Sequence, residues 1–236
     1  FAYRALGAPP LAEAKLQEWN AYAPMYQLST DDGSADMDEP GWEQNYATVG
    51  DELYTRAQLL RARMVPQELW PVQVAAFHRK WEAWKQEAGV IDFTDMIALS
   101  LRDVEAAPGE PEIGFFDEVQ DFAPLELALV RRWAKRMEVV LLAGDDDQAI
   151  YSFKGAIPDA FLDPPLPPQQ VRVLSQSYRV PRLIQAEAQR WIERVTKRQP
   201  KQYRPKLLLT ADGKPVIKDG QPVYVEGQVR RLYDDP

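Results

Sequence analysis

The sequence predicts an α/β fold, and three observations carry that expectation. The stretch Phe115-Phe116-Asp117-Glu118-Val119-Gln120-Asp121-Phe122 reads as a short buried strand that delivers two adjacent carboxylates, Asp117 and Glu118, to a strand end. A second apolar run, Val139 to Gly144, also ends in acid, Asp145-Asp146-Asp147, followed at once by Gln148. Between the two lies a helix pattern. The order strand, acidic turn, helix, strand, acidic turn is that of a parallel unit, in which ligands bind beyond the carboxyl ends of the strands. In the connecting helix Asp121 is the expected cap and Pro124 sits in the first turn. Leu125, Leu129 and Trp133 form its apolar stripe, and Arg131, Arg132, Lys135 and Arg136 crowd the C-terminal end, where the macrodipole favours cations.

The rest of the chain is predicted around this unit. Phe1 to Leu6 has the character of a helix ended by Gly7, Pro9 and Pro10, residues 11 to 23 of another helix, and Ser29 to Tyr46 of an acidic, solvated loop. Two amphipathic helices follow: Leu53, Ala57, Leu60 and Met64 line the first, and Val74, Phe77, Trp81, Trp84 and Ala88 line the second. Pro71 opens the second helix and Gly89 stops it. His78, the single histidine, lies near that stripe and reads as a structural residue. Ile91-Asp92-Phe93-Thr94-Asp95 begins a further helix through Met96, Ile97, Leu99 and Leu101. Beyond the parallel unit, residues 157–170 form a proline-rich, stiff linker that marks a domain boundary. Val171 to Leu174 then reads as a strand, Ser177 to Val180 as a turn, and Pro181 as the start of a helix with Ile184, Ala188, Trp191 and Val195 on one face. Asp212-Gly213 and Asp219-Gly220 predict two small hairpins.

Composition bounds the function. The 236 residues are 45% apolar, with seven Trp, ten Tyr and eight Phe, enough for a packed core. No apolar run has the length of a membrane span, and the opening residues lack the pattern of a signal peptide, which predicts a cytoplasmic protein with no membrane partner. Absence of cysteine excludes disulfides and thiolate metal sites. The net charge of −8 argues against nucleic acid as a partner until its distribution is considered. Residues 13 to 52 carry ten acids against one base, whereas residues 172 to 206 carry ten bases against two acids, so that basic stretch can face phosphate while the total stays negative.

A carboxylate pair at a strand end suits magnesium-dependent nucleotide hydrolysis, one acid holding the hydrated metal and the other acting on the attacking water. The pair alone is a weak signal; the ordered set DEVQD, GDDDQAIYSFKGA and SYR is far more specific. It resembles the second, third and fourth motifs of the UvrD/Rep-type superfamily 1 DNA helicases, approximately DExxQD, GDxxQxIYxxRGA and NYRS, and Ile91 to Ile97 resembles the xDFxDLL segment that precedes them. The resemblance is strong over residues 91 to 184 and looser at Phe1 to Leu6. It implies a RecA-like parallel sheet of the P-loop NTPase type, incomplete here, with an inserted helical subdomain and the start of a second motor domain. The implied division is residues 1–10 and 90–156 for the first motor domain, 11–89 for the helical insertion, and 171–236 for the second motor domain. Carried over by position, it makes Asp117 the magnesium-associated acid and Glu118 the general base, the two forming the metal site. Gln148 is implied to contact the γ-phosphate and attacking water, Arg179 to act as an arginine finger from the second domain, and Tyr178 to stack near adenine.

Tyr151 and Phe153 alternate about Ser152, so an extended backbone points both rings to one side as a base-stacking platform, with Lys154 placed to meet a phosphate. Phe153 stands where the family often has Trp, Lys154 where it has Arg, and Ser177 and Val180 where it has Asn and Ser. The implied cofactors are ATP and Mg2+, and the implied partners are single-stranded DNA or single/double-strand junctions and the remaining parts of a parent helicase. The sequence contains no G-x-x-x-x-G-K-[ST] loop, nor the family's later motifs. The chain is therefore expected to be the middle of a longer motor and to have little or no ATPase activity by itself. The alternative is a nucleotide-independent module that binds single-stranded DNA or docks a partner.

Overall fold

In the computed structural model, the structure describes residues 9–29, 46–150, 155–157, 164–196 and 198–230. The expected helix at Phe1 to Leu6, most of the acidic loop and the candidate DNA-contact residues Tyr151, Phe153 and Lys154 lie outside the described residues. The chain divides into two compact units, Phe1–Phe161 and Leu162–Pro236. No helix among the described residues is long and apolar enough to cross a membrane.

The first unit begins with helices α1 (Pro9–Tyr22), α2 (Val49–Ala62), α3 (Val72–Ala88) and α4 (Phe93–Asp103). Thr48 caps α2, its hydroxyl accepting from the Asp51 amide at 3.0 Å. Pro71 precedes α3, and Gly89, left-handed at φ 64°, ends it as the spacing predicts. The apolar stripes converge on a core of Leu16 and Trp19 from α1, Leu53, Tyr54 and Ala57 from α2, and Val74, Phe77, Trp81 and Trp84 from α3. Its centre is aromatic. The Trp19 ring meets Trp81 edge-on at 4.9 Å, and Tyr54 meets Trp81 at 5.1 Å, the geometry that ring quadrupoles favour. Burying each such side chain contributes on the order of 2–3 kcal/mol. Met64, predicted on the α2 stripe, is instead exposed: the helix stops at Ala62 and Met64 takes a left-handed turn, φ 55°. Gly50 lies against the Pro24–Tyr26 turn so closely that a β-carbon there would stand 2.1 Å from the Gln27 carbonyl oxygen.

The parallel unit follows. Strand β1 (Ile113–Phe116) pairs in parallel with β2 (Val139–Leu142), Ile113 opposite Val139 and Phe116 opposite Leu142, and helix α5 (Pro124–Ala134) joins them. Pro124 opens α5 and buries Leu125, Leu127, Leu129 and Val130 behind it. Asp121 does not cap this helix. It belongs to a 3-10 turn, Val119–Asp121, and an extended Phe122–Ala123 separates it from Pro124; the Glu126 carboxylate takes the Ala123 amide at 2.7 Å instead. Nor is β1 a buried strand. Gly114 is covered by Met137, yet Phe115 is 75% exposed and Ile113, Val139 and Leu141 share that open character. The described sheet has two strands and no layer over that face.

The second unit holds α6 (Arg182–Ile192) and the hairpin β3 (Ile217–Lys218) to β4 (Gln221–Pro222). The hairpin turns on Asp219 and Gly220, both at positive φ (50° and 74°), as its Asp-Gly signature predicts. A second reversal at Asp212-Gly213 brings Leu209 opposite Pro215. Val171 to Leu174 forms no strand. Only Gln176 bridges to Arg204, and Leu174 is 87% exposed. The first amides of α6 are satisfied by the tail: Arg182 and Leu183 donate to the carbonyls of Val225 and Glu226 at 2.7 and 2.9 Å. Helix α6 ends before Val195, and its predicted face, including Ile184 and Trp191, stands exposed, with the Arg194 guanidinium 4.3 Å over the Trp191 ring.

Candidate active site

Parallel pairing places both acidic turns on one sheet edge. Asp117 and Glu118 follow β1 directly, and Asp145 to Gln148 lie just past β2. The ladder continues beyond the strands, since Ala143 donates to the Phe116 carbonyl at 2.8 Å and Val119 to the Ala143 carbonyl at 3.0 Å. The two turns are thereby fastened to each other by backbone. Glu118 adopts a left-handed backbone, φ 52° and ψ 38°, a conformation that costs a β-carbon-bearing residue about 1–2 kcal/mol. Such local strain is typical of functional turns.

Asp117 and Glu118 are exposed. One Asp117 oxygen accepts the Glu118 amide at 2.9 Å, and one Glu118 oxygen accepts the Gln120 side-chain amide at 2.7 Å. Each carboxylate keeps its other oxygen uncommitted among the described residues, a donor set that fits a hard, hydrated dication. Gln148 sits on the facing turn, its Nε2 donating to an Asp145 carboxylate oxygen at 2.6 Å. So Asp117, Glu118 and Gln148 come together on one edge.

Tyr178 and Arg179 belong to the second unit. They occupy a turn closed by Ser177, whose hydroxyl accepts the amides of Arg179 and Val180 at 3.3 and 3.0 Å. Tyr178 is 79% exposed, and the exposed Arg179 guanidinium makes no ion pair among the described residues.

Sequence reasoning missed two residues of this edge. Gln120, 1% exposed, stands between the turns: its Oε1 accepts the Asp145 amide at 3.0 Å while its Nε2 holds Glu118. Asp145 serves as the acceptor for both Gln148 and the Asp147 amide. The available signal for Gln120 was its place inside DEVQD, a polar residue next to apolar Val119 with no surface role.

A third cluster lies away from this edge. Asp92, 1% exposed, receives Arg61 at 2.9 Å, Lys85 at 3.0 Å, the Trp81 indole at 3.0 Å and Gln58 at 3.1 Å, while Asp95 pairs with both Arg61 and Lys85. Asp92 and Asp95 also form a reciprocal capping box at the start of α4. Burial alone would raise the Asp92 pKa, but Arg61 and Lys85 overcome it and hold the carboxyl well below the usual range. Glu82, Asp92 and Asp95 have oxygens within 4.8 Å of one another. The ammonium of Lys85, within 3.0 Å of Asp92 and 2.8 Å of Glu82, occupies the cation position among them. His78 is buried against Trp70 at 5.0 Å. Its burial, with Arg61 and Lys85 nearby, pushes the imidazole pKa down to about 4, so it is neutral at pH 7.

Fold and edge together define an α/β protein that presents two acidic turns at the carboxyl ends of adjacent parallel strands. The chain belongs to the UvrD/REP helicase N-terminal domain family, whose sequence profile matches residues 44–164, just over half of its length. It is 31% identical over 145 residues to ATP-dependent DNA helicase UvrD2 of Mycobacterium tuberculosis (strain ATCC 25618 / H37Rv), a match covering 57% of this chain and 20% of that protein. It is 30% identical over 101 residues to the putative ATP-dependent DNA helicase YjcD of Bacillus subtilis (strain 168), covering 40% of this chain and 13% of the relative. With ATP-dependent DNA helicase PcrA of Leuconostoc citreum it shares 28% identity over 150 residues, 60% of this chain and 19% of that protein. The chain thus matches about a fifth or less of the length of these curated relatives.

Proposed function

We propose that the chain is part of an ATP-dependent DNA helicase or translocase of the UvrD/Rep type, which couples Mg-ATP hydrolysis to movement on single-stranded DNA in repair, replication or recombination. The observation that carries this reading is the shared edge of Asp117, Glu118 and Gln148 at the ends of parallel strands. Asp117 and Glu118 would hold a magnesium ion, which would supply charge neutralisation to the phosphates. Glu118 takes the proton of the attacking water and Gln148 orients that water beside the γ-phosphate. The family resemblance gives Arg179, a planar cation, the role of meeting the developing phosphoryl charge, and Tyr178 that of stacking on the base. Tyr151, Phe153 and Lys154 serve the DNA strand.

Because the sequence has no phosphate-cradling loop, the 236-residue chain alone is expected to hydrolyse little or no ATP. Robust magnesium-dependent hydrolysis by this polypeptide, abolished by Glu118→Gln, would overturn that expectation. In a longer polypeptide that supplies the loop, the same substitution and Arg179→Ala should each remove DNA-stimulated hydrolysis. Retention of full activity in both variants would sink the assigned roles. The missing loop also favours a second reading, a nucleotide-independent binder of single-stranded DNA. Measuring single-strand affinity with and without a nonhydrolysable ATP analogue separates the two: coupling supports the motor, and binding indifferent to nucleotide supports the passive module.

A further inference from the structure

We infer that Gln120 is a positioning residue that couples Glu118 to Gln148 through Asp145. Four residues form one continuous line, which passes through the backbone amide as well as the carboxylate of Asp145. Glu118 Oε2 accepts from Gln120 Nε2 at 2.7 Å, Gln120 Oε1 accepts the Asp145 amide at 3.0 Å, and Asp145 Oδ2 accepts from Gln148 Nε2 at 2.6 Å. The orientation of the Gln120 amide is dictated by its neighbours, since turning it over would set an oxygen against a carboxylate and an NH2 group against an amide N–H. Glutamine can do this because a single amide carries both a donor and an acceptor. Glutamate would place a second carboxylate against Glu118, leucine offers neither a donor nor an acceptor, and asparagine is one methylene too short to span the turns.

Burial strengthens the link. Gln120 is 1% exposed, so water cannot replace either bond, and an unmade bond at such a site is costly. Glu118 meanwhile sits in a left-handed backbone that persists only if its surroundings over-determine it; the Gln120 bond is one such constraint. The line also sets up a competition. Gln148 Nε2 gives one of its two N–H groups to Asp145, so a phosphate oxygen that draws the side chain away competes with that bond. Its release frees the Asp145 turn, and Gln120 transmits the change to Glu118. The hydrolytic meaning of this coupling rests on the reading proposed above, but the coupling itself is a property of the nucleotide-free chain.

Nuclear magnetic resonance on the 15N-labelled, full 236-residue chain without nucleotide tests it. Glu118→Ala, at an exposed position, is expected to shift the Gln148 side-chain NH2 resonances while leaving those of Gln176 in the second unit unmoved. Gln120→Leu is expected to speed exchange of the Asp145 amide roughly tenfold while amides in α1 to α3 keep their protection. In that background Glu118→Ala should no longer move Gln148. An unmoved Gln148 in the single Glu118→Ala variant overturns the inference, as does an equal shift with and without Gln120. Uniformly faster exchange throughout the first unit would mean that Gln120 only supports the fold, and would also overturn it. Should Gln120→Leu fail to fold, the Glu118→Ala measurement decides by itself. Loss of the hydrolytic reading shows up elsewhere, in the ATPase of the longer polypeptide, and leaves these resonances as they are.

Discussion

Lowering the pH from 7 toward 4 should destabilise the first unit through His78, and the size of the effect follows from its surroundings. Burial of the imidazole against Trp70, helped by the nearby Arg61 and Lys85, holds its pKa near 4 against 6.5 in an unfolded chain. Below pH 6.5 the unfolded chain therefore takes up a proton that the folded chain refuses, so stability falls with falling pH. The decline levels off near pH 4, where the native imidazole also protonates. A difference of about 2.5 pKa units corresponds to about 3 kcal/mol across this window, at most about 1.4 kcal/mol per pH unit. Asp92 acts in a different window. Its lowered pKa gives stability that is present above the unfolded value of 3.8 and is lost only below it. The assay is urea unfolding followed by tryptophan fluorescence at pH 7, 6, 5 and 4.5, for the native sequence and for His78→Phe, which keeps a flat ring against Trp70. Carboxylates other than Glu82, whose oxygen lies 3.5 Å from His78 Nδ1, are common to both proteins and cancel in the difference. The native sequence should lose about 2–3 kcal/mol more than the variant between pH 7 and 4.5; a difference that does not change with pH refutes the reasoning.

Asp92→Ala strips the shared acceptor from Arg61, Lys85, Trp81 and Gln58 and should cost about 3–5 kcal/mol in the same unfolding assay at pH 7. Gly50→Ala forces a β-carbon into the Gln27 carbonyl; a loss of about 1–3 kcal/mol is expected, although alanine is the better helix former. Gly220→Ala, at φ 74° with open space around it, should cost about 1 kcal/mol from backbone strain alone, read as a lower unfolding midpoint of the second unit. In each case an unchanged midpoint would contradict the geometry.

The helices were legible because their signals are local. The three-and-four spacing of Val74, Phe77, Trp81 and Trp84, the stop at Gly89 and the turn at Asp219-Gly220 depend on neighbours within a few residues. Local signals also brought Asp117, Glu118 and Gln148 to one edge, since two strands and a helix of this length return the chain in parallel. What depends on distant residues was not legible. Lys85 reads as a surface cation in any pattern of hydropathy, yet it is only 3% exposed because Asp92 and Asp95 meet it from another helix. The same limit explains Val171 to Leu174: its β-branched residues favour a strand, but among the described residues no strand pairs with it, and the bridge from Gln176 to Arg204 falls just after it. Asp121 has the chemistry of a cap and stands too early, because a 3-10 turn intervenes before Pro124. Gln120 was hidden for a related reason. Its role is to join two turns separated by 25 residues, and nothing in either turn alone announces it.

The Asp92 cluster has a consequence for synthesis, which proceeds from the amino end. Arg61 and Lys85 leave the ribosome before Asp92 and Asp95, so for that interval α2 and α3 bring two cations together with only the half-exposed Glu82 to answer them. Native packing of the tryptophan core must then wait for the start of α4. A polypeptide ended at Gly89 would keep both cations and lack both acids. It would stay loosely packed until Asp92 and Asp95 were supplied, and the helices would close on themselves only once the start of α4 had emerged.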